Sequence, residues 1–163
     1  MTKPNPAEIA GQQGVCPKGK YCPEGTGAPL NCPAGTYNDE YGAESLDECL
    51  PCPVGKYCNV AGATMASLIL AGAPSYGTCT AGYVCFEGST TPTPTDGVQG
   101  IQCLVGNYCP AGTPAMIECP AGSYQDVIGQ ATCKTCPATF YCNENGMSIG
   151  TACPTGSYCP ASS

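Results

Sequence analysis

Two pairs of cysteines have a spacing that could bind a metal ion or carry out redox chemistry. Cys49 and Cys52 form one C-x(2)-C pair, and Cys133 and Cys136 form the other. Zinc sites combine such a pair with a second one at a short fixed spacing or with histidines, and this chain has no histidine. Redox activity requires a thiolate of low pKa at a helix N-terminus, and no helical pattern surrounds either pair. We therefore expect neither a metal nor another cofactor.

Acidic side chains cluster between Asn38 and Glu48 and could supply oxygen ligands to Ca²⁺ or a pair of catalytic carboxylates. The matching stretch later in the chain keeps only Asp126, and the small apolar content provides no cleft that would shift a carboxyl pKa. We interpret the cluster as a solvated loop and predict that the protein is not an enzyme. The clustered residues are Asp39, Glu40, Glu44, Asp47 and Glu48.

The composition indicates a scaffold held by disulfides, and this scaffold must position every other side chain. The 163 residues include 16 cysteines, 22 glycines and 17 prolines but no tryptophan, and no long window keeps a helical period. The predicted fold class is small and disulfide-rich, with tandem EGF-like or receptor-like cysteine-rich modules of short β-hairpins and turns, little helix and an elongated rod shape. Such a chain requires an oxidising compartment, so we expect an extracellular or cell-surface location.

Charge and hydropathy argue against two classes of partner. The formal charge of -7, with five lysines and no arginine, argues against nucleic acid. No apolar stretch reaches the roughly eighteen residues that a membrane span requires. The opening residues, MTKPNPAEIA, lack the apolar run of a secretory signal, so we expect a leader already removed or a segment of a longer polypeptide.

The cysteine pattern divides the chain into two copies of one eight-cysteine module, because the order of spacings in the first half recurs, with shorter loops, in the second. The end segments share composition with the internal linker, which suggests an array that continues. The predicted organisation is a linker-like segment at 1–15, a first module at 16–85, a Thr/Pro/Gly linker at 86–102, a second module at 103–159 and the start of a further linker at 160–163.

A shorter motif, C-x(5)-C, occurs six times inside the modules, first as CPKGKYC. Its proline and glycine predict a tight hairpin, with a tyrosine lying over the disulfide. We interpret these tyrosines as packing residues, and only secondarily as surfaces on which a sugar could stack. They are Tyr21, Tyr57, Tyr108, Tyr141 and Tyr158.

The segments CPAGTY…C-x(2)-CPVGKYC and CPAGSY…C-x(2)-CPATFYC resemble the ephrin-receptor-like cysteine-rich repeat, over about residues 16–159. More distantly, the pattern is similar to the cysteine-rich repeats of tumour-necrosis-factor receptors. The resemblance implies a rod of small disulfide-held units in a secreted or surface protein. It does not by itself imply a ligand or a partner.

Two disulfide connectivities fit the motifs. In the local connectivity each C-x(5)-C closes on itself, and the remaining cysteines pair as Cys32–Cys49 and Cys119–Cys133, longer loops that resemble the first loop of the receptor repeats. In the staggered connectivity partners come from neighbouring motifs, for example Cys22 with Cys32 or Cys109 with Cys119. The local pairs closed by C-x(5)-C are Cys16–Cys22, Cys52–Cys58, Cys79–Cys85, Cys103–Cys109, Cys136–Cys142 and Cys153–Cys159.

The Thr/Pro run in the predicted linker has the composition of O-glycosylated stalks. We therefore predict covalent glycans in this run, the alternative being an unmodified solvated linker. The candidate acceptors are Ser89, Thr90, Thr91, Thr93 and Thr95.

The apolar segment ATMASLILAGA, which the second module lacks, is a candidate interface between subunits or folded-back modules. The alternative is a short strand or turn that packs on Tyr57 and Tyr76. The candidate interface residues are Met65, Leu68, Ile69 and Leu70.

These features favour a structural function. The first hypothesis is an extracellular fibre or stalk segment of disulfide-stapled repeats, joined head to tail with further copies or continued along the same longer chain. The alternative is a ligand- or glycan-binding ectodomain of a surface receptor or adhesion protein.

Overall fold

The chain folds into a succession of two-stranded antiparallel hairpins. The computed structural model describes residues 14–66 and 76–162. Within these ranges fourteen strands of two or three residues pair in chain order, β1 with β2 through to β13 with β14, and a 3₁₀ helix spans Leu46–Glu48. The strands are β1 Lys20–Tyr21, β2 Leu30–Asn31, β3 Thr36–Tyr37, β4 Leu50–Pro51, β5 Lys56–Cys58, β6 Tyr76–Thr78, β7 Tyr83–Cys85, β8 Gly100–Gln102, β9 Asn107–Tyr108, β10 Ile117–Glu118, β11 Ser123–Tyr124, β12 Lys134–Thr135, β13 Phe140–Tyr141 and β14 Thr151–Ala152.

The hairpins arise from a unit that is shorter than the predicted module. Units 1 to 7 each begin at a cysteine, turn, form one strand, turn again and return along a second strand to the first cysteine of the next unit, whereas unit 8 has the two turns but no assigned strand. Units 1 to 4 lie in the first predicted module and units 5 to 8 in the second. The eight units begin at Cys16, Cys32, Cys52, Cys79, Cys103, Cys119, Cys136 and Cys153.

The hairpin differs from the one that the C-x(5)-C motif predicted. Strand β1 lies inside the first motif, but its partner β2 follows that motif. The turn itself is as expected, since Gly19 lies in it with a φ of 75°. The prediction of a complete hairpin was wrong because five residues between two bonded cysteines hold one turn and one strand, so the return strand comes from the segment that leads to the next unit.

Two turn positions recur in every unit, and the backbone ladder described below depends on both. The first-turn residue is the third residue after the first cysteine of its unit, and the second-turn residue follows the first strand. The first-turn residues are Gly19, Gly35, Gly55, Gly82, Gly106, Gly122, Thr139 and Gly156. The second-turn residues are Gly25, Gly42, Gly62, Gly88, Gly112, Gly129, Gly146 and Ser162.

Three backbone hydrogen bonds recur at every joint between one unit and the next and form a ladder, and five of the seven joints add a fourth, such as that from the N–H of Cys22 to the carbonyl of Ala43 over 2.9 Å. Between units 1 and 2, the N–H of Gly19 donates to the carbonyl of Asn38 over 2.8 Å, and the N–H of Cys32 donates to the carbonyl of Gly19 over 2.9 Å. The N–H of Gly42 donates to the carbonyl of Cys16 over 2.8 Å. Equivalent bonds recur at all seven joints, so the eight units form one continuous stack.

The predicted linker, residues 86–102, lies within this stack. It contains strand β8, its Ser89 and Pro94 are fully buried, and its Ile101 packs against a cluster that contains Cys103 and Cys109. The ladder crosses this region with the same three bonds as elsewhere. The boundary between the two modules stays a prediction, and the backbone has the same hydrogen-bond pattern on both sides of it.

Disulfide bonds form the interior of the stack. All sixteen cysteines are bonded, in the eight pairs of the local connectivity, and twelve of them are buried. Tyr37 and Met65 pack against a cluster of Cys52, Cys58 and Ala63. The disulfides therefore occupy the interior positions that apolar side chains fill in larger domains.

Two units replace the local disulfide with a buried amide. Six units place a cysteine at the sixth position after their first cysteine, but units 2 and 6 place Asn38 and Gln125 there, which are 3% and 1% exposed. Asn38 Nδ2 donates to the carbonyl of Lys20 over 3.1 Å, and Gln125 Nε2 donates to the carbonyl of Thr132 over 2.6 Å. The first cysteine of each of these units bonds instead to a cysteine just before the next unit, so one backbone path accommodates both arrangements.

Candidate assembly and modification sites

The first and the last described units contain ladder groups that have no backbone partner within residues 14–66 and 76–162. In unit 8, neither the N–H nor the carbonyl of Gly156 takes part in a backbone bond within residues 14–66 and 76–162, and neither does the carbonyl of Cys153. In unit 1, the same holds for the N–H groups of Cys16 and Gly25 and for the carbonyl of Cys22. For the three bonds that recur at every joint, unit 8 therefore offers a donor and two acceptors, and unit 1 offers two donors and an acceptor.

The acidic cluster near Glu48 organises its own loop. Glu48 Oε1 accepts from the N–H of Glu44 over 2.6 Å and from the N–H of Ser45 over 3.2 Å, as in a capping box at the 3₁₀ helix. The carboxylate of Asp39 lies 3.4 Å from Lys18 Nζ. In the part of the chain that the structure describes, no group of three or more metal-binding side chains converges. Glu40, Glu44, Asp47 and Glu48 are exposed.

Two exposed aspartates have pKa values below the ordinary range, for different reasons. Asp126 lies 2.5 Å from Lys134 Nζ, and this hydrogen bond lowers the pKa of Asp126 and raises the pKa of Lys134. Asp96 accepts from the N–H groups of Gln99 and Val98, which lower its pKa. Asp96 is therefore ionised at neutral pH and closes the turn that leads into β8.

The structure separates the five candidate glycan acceptors by exposure. Ser89 is fully buried and donates its hydroxyl to the carbonyl of Thr91 over 3.0 Å. The Thr90 hydroxyl donates to Gln99 Oε1 over 2.6 Å, and Thr91 is half-buried. Thr93 and Thr95 are exposed. Modification at Ser89 or Thr90 would break these contacts, so the accessible acceptors are Thr93 and Thr95.

We predict O-linked sugar on Thr93 or Thr95 of the native protein and none on Ser89. Peptide mapping of the natural material by mass spectrometry, with fragmentation that preserves sugars, would locate the modification. The variant that carries Thr93→Ala and Thr95→Ala should lose the added mass, whereas Ser89→Ala should keep it. A native mass equal to that of the bare oxidised polypeptide would contradict the prediction.

The candidate apolar interface falls mostly outside the described residues. Met65 is half-buried and packs on the cluster of Cys52, Cys58 and Ala63, so it contributes to its own unit. Leu68, Ile69 and Leu70 lie outside the described residues. The assignment of this segment to an interface stays a prediction.

The tyrosine slot, which is the fifth residue after the first cysteine of a unit, also holds tyrosine outside the C-x(5)-C motifs. Tyr37 and Tyr124 occupy it in units 2 and 6, where the motif is not closed by a cysteine. The tyrosines of the slot are half-buried in every unit that has one before the last, whereas Tyr158 of unit 8 is 89% exposed. Each of the units with a half-buried tyrosine is followed by a further described unit, whereas no described unit follows unit 8.

Sequence reasoning predicted the glycine turn of the C-x(5)-C motif but missed that the turn residues join the units. Their signal is C-x-x-G, which recurs in seven of the eight units and becomes C-x-x-T in unit 7. Thr139 and Ser162 are the non-glycine residues with positive φ among the described residues, at 75° and 66°. Both replace glycine at a turn position near the same end of the stack.

No helix in the described ranges is long and apolar enough to cross a membrane.

Comparison with known proteins finds one matching family model and one similar curated protein. The family model described as tyrosine-protein kinase ephrin type A/B receptor-like matches residues 106–153. "Signal peptide, CUB and EGF-like domain-containing protein 2" of Danio rerio is 32% identical over 123 residues, which cover 73% of this chain and 11% of that relative. The chain thus spans about a tenth of the curated relative that it matches. The chain carries an ephrin-receptor-like cysteine-rich repeat, and with its eight disulfides it is a disulfide-rich extracellular or cell-surface module.

Proposed function

We propose that the protein is a structural segment of an extracellular fibre or stalk, built from disulfide-stapled units that stack in one direction. The observation that carries the proposal is the ladder, which repeats the same three backbone bonds at seven successive joints. A stack in which each unit bonds to its neighbours can be extended at either end without changing the contacts inside it.

The joints depend little on the side chains that vary between units. The donors and acceptors at the joints are backbone groups. The sixth position after the first cysteine of a unit holds Cys in six units, Asn in one and Gln in one. A binding protein would instead concentrate particular side chains on one face. The resemblance to receptor-like and EGF-like modules also favours a function without catalysis.

Two sources of further units are compatible with this function. The Danio rerio relative is a much longer protein, which supports continuation along one polypeptide. The complementary ladder groups at the two ends support head-to-tail stacking of separate copies.

Electron microscopy of the oxidised protein tests the proposal. We expect negatively stained preparations at high protein concentration to show long filaments of uniform width. A reduced and alkylated sample serves as the control, because it should lose the stack and with it the filaments. Dispersed short rods at every concentration would contradict self-assembly and favour the ligand-binding ectodomain.

A further inference from the structure

The two end faces of the stack have the pattern of donors and acceptors that each inner joint pairs. We propose that the unit 8 end of one molecule binds the unit 1 end of a second copy through the three-bond ladder, and that Thr139 makes this joint weaker than the inner ones. The inference rests on the proposed fibre function and names the surfaces and the residue that control it.

The pairing follows from the inner joints. At each of them the first-turn residue donates to the carbonyl at the sixth position of the next unit and accepts from the first cysteine of that unit. Across the proposed joint, Gly156 would therefore donate to the carbonyl of Cys22 and accept from the N–H of Cys16. The N–H of Gly25 would donate to the carbonyl of Cys153. Every group named is without a backbone partner in the described ranges.

A second contact reaches one unit further and sets a steric requirement. The Cβ that an alanine would place at Gly82 lies 2.2 Å from the carbonyl oxygen of Gly129, two units later. The same relation holds from Gly19 to Gly62, at 2.4 Å, and from Gly122 to Ser162, at 2.8 Å. Real Cβ atoms do not approach a carbonyl oxygen so closely, so an inner first-turn residue must be glycine.

Thr139 departs from this requirement in unit 7, where the described residues supply no backbone for its Cβ to meet. Unit 7 has no unit two places later among the described residues, and Thr139 is exposed where its inner counterpart Gly106 is buried. In a head-to-tail joint the missing partner would be the second-turn residue of the next copy, Gly25. The Cβ of Thr139 would meet the carbonyl of Gly25, so this joint must open by several tenths of an ångström relative to the inner ones.

Gly156 provides the matching contact at unit 8. An added Cβ there meets no atom within 4 Å in the free molecule. In the joined state it would meet the carbonyl of Gly42 of the second copy. A side chain at this position therefore leaves the single molecule unclashed and obstructs the joint.

Sedimentation velocity over a concentration series, on fully oxidised protein, tests the inference with three variants. Thr139→Gly should tighten association at least about tenfold, equivalent to about 1.4 kcal/mol, because it removes the clash with the second copy. Gly156→Asn should weaken association by a similar factor or more, and asparagine is chosen because it adopts the left-handed conformation readily. The double variant should remain weak, because the asparagine clash persists.

Ser162→Gly is the matched control. It relieves a non-glycine residue at positive φ, as Thr139→Gly does, but its position corresponds to Gly129 and Gly146, whose Cβ directions meet Gln102 and Glu118 of the same chain rather than a later unit. We expect Ser162→Gly to stabilise the fold and to leave association unchanged. An equal gain in association from both glycine substitutions would overturn the role of Thr139.

The outcomes separate this inference from the proposed function. If filaments form with the same association constant in wild type, Thr139→Gly and Gly156→Asn, another surface joins the copies, so the end-face inference fails and the fibre function stands. If wild type and Thr139→Gly both stay monomeric throughout the series, both the inference and self-assembly fail. Should Gly156→Asn not oxidise fully, as judged by intact mass, the comparison of Thr139→Gly with Ser162→Gly decides alone.

Discussion

Gly82→Ala will destabilise the stack much more than Gly97→Ala, although both glycines have a left-handed backbone, with φ of 89° and 73°. The cost of placing an L-residue in that conformation is common to both, about 1 to 2 kcal/mol. The added Cβ at Gly82 would lie 2.2 Å from the carbonyl oxygen of Gly129, whereas the Cβ at Gly97 meets nothing within 4 Å. We expect a further cost of roughly 1 to 3 kcal/mol at Gly82 alone, because its neighbour is backbone and cannot rotate away.

Guanidinium unfolding of the two oxidised variants gives the difference in the free energy of unfolding. Amide hydrogen exchange locates it, because the N–H of Cys103 donates to the Gly82 carbonyl over 2.9 Å in the joint next to Gly82, and the N–H of Gly129, whose carbonyl the added Cβ would meet, donates to the carbonyl of Cys103 in the following joint. Both amides should exchange faster in Gly82→Ala and at the wild-type rate in Gly97→Ala. Equal losses of stability in the two variants would show that contact between alternate units does not constrain the stack.

The fold class could be predicted from the sequence because it follows from composition. Many cysteines, with frequent glycine and proline and few large apolar residues, leave the chain no way to fold other than through disulfides and turns. The smaller unit was harder to detect, because Asn38 and Gln125 stand where the other units have their second cysteine. A search for paired cysteines therefore finds the longer period of two modules and overlooks the eight units.

The joints between units could not be predicted because backbone groups form them. Hydrogen bonds between main-chain atoms leave no trace in side-chain chemistry, and their single signature is the requirement for glycine where two backbones approach each other. That signature is present as C-x-x-G. Glycine is so frequent in this chain, however, that the sequence does not distinguish a glycine at a joint from a glycine in an ordinary turn.

Exposure within the Thr/Pro run was equally inaccessible from composition. Ser89 and Thr95 have similar side chains in the same run, yet Ser89 is fully buried and Thr95 is exposed. The difference arises because Ser89 follows the second-turn residue Gly88, whose N–H donates to the carbonyl of Cys52 and draws the segment into the stack. Tertiary contacts, not local sequence, decide which hydroxyl an enzyme could reach.

Removing the Cys79–Cys85 disulfide will cost more stability than removing Cys153–Cys159, although the two loops have the same length. Both bonds span a sequence separation of 6, so the chain-entropy contribution of each is similar, roughly 2.4 kcal/mol. Cys79 and Cys85 are fully buried, whereas Cys153 and Cys159 are half-exposed. Replacing the central pair with alanine therefore adds a loss of packing that replacing the terminal pair mostly avoids.

Position in the stack increases this difference. The backbone of the central unit bonds to units on both sides, through the N–H of Gly55 to the carbonyl of Cys85 and through the N–H of Gly82 to the carbonyl of Cys109. Loss of order there separates the units before it from the units after it, whereas loss of order in unit 8 affects one joint. We expect the terminal double variant to fray locally, with faster amide exchange only in the last joint, at Thr139, residue 153 and Ser162. We expect the central double variant to lose protection across several units. Equal melting temperatures and equally wide loss of protection in both would mean that the units fold independently, and that the ladder transmits little stability along the chain.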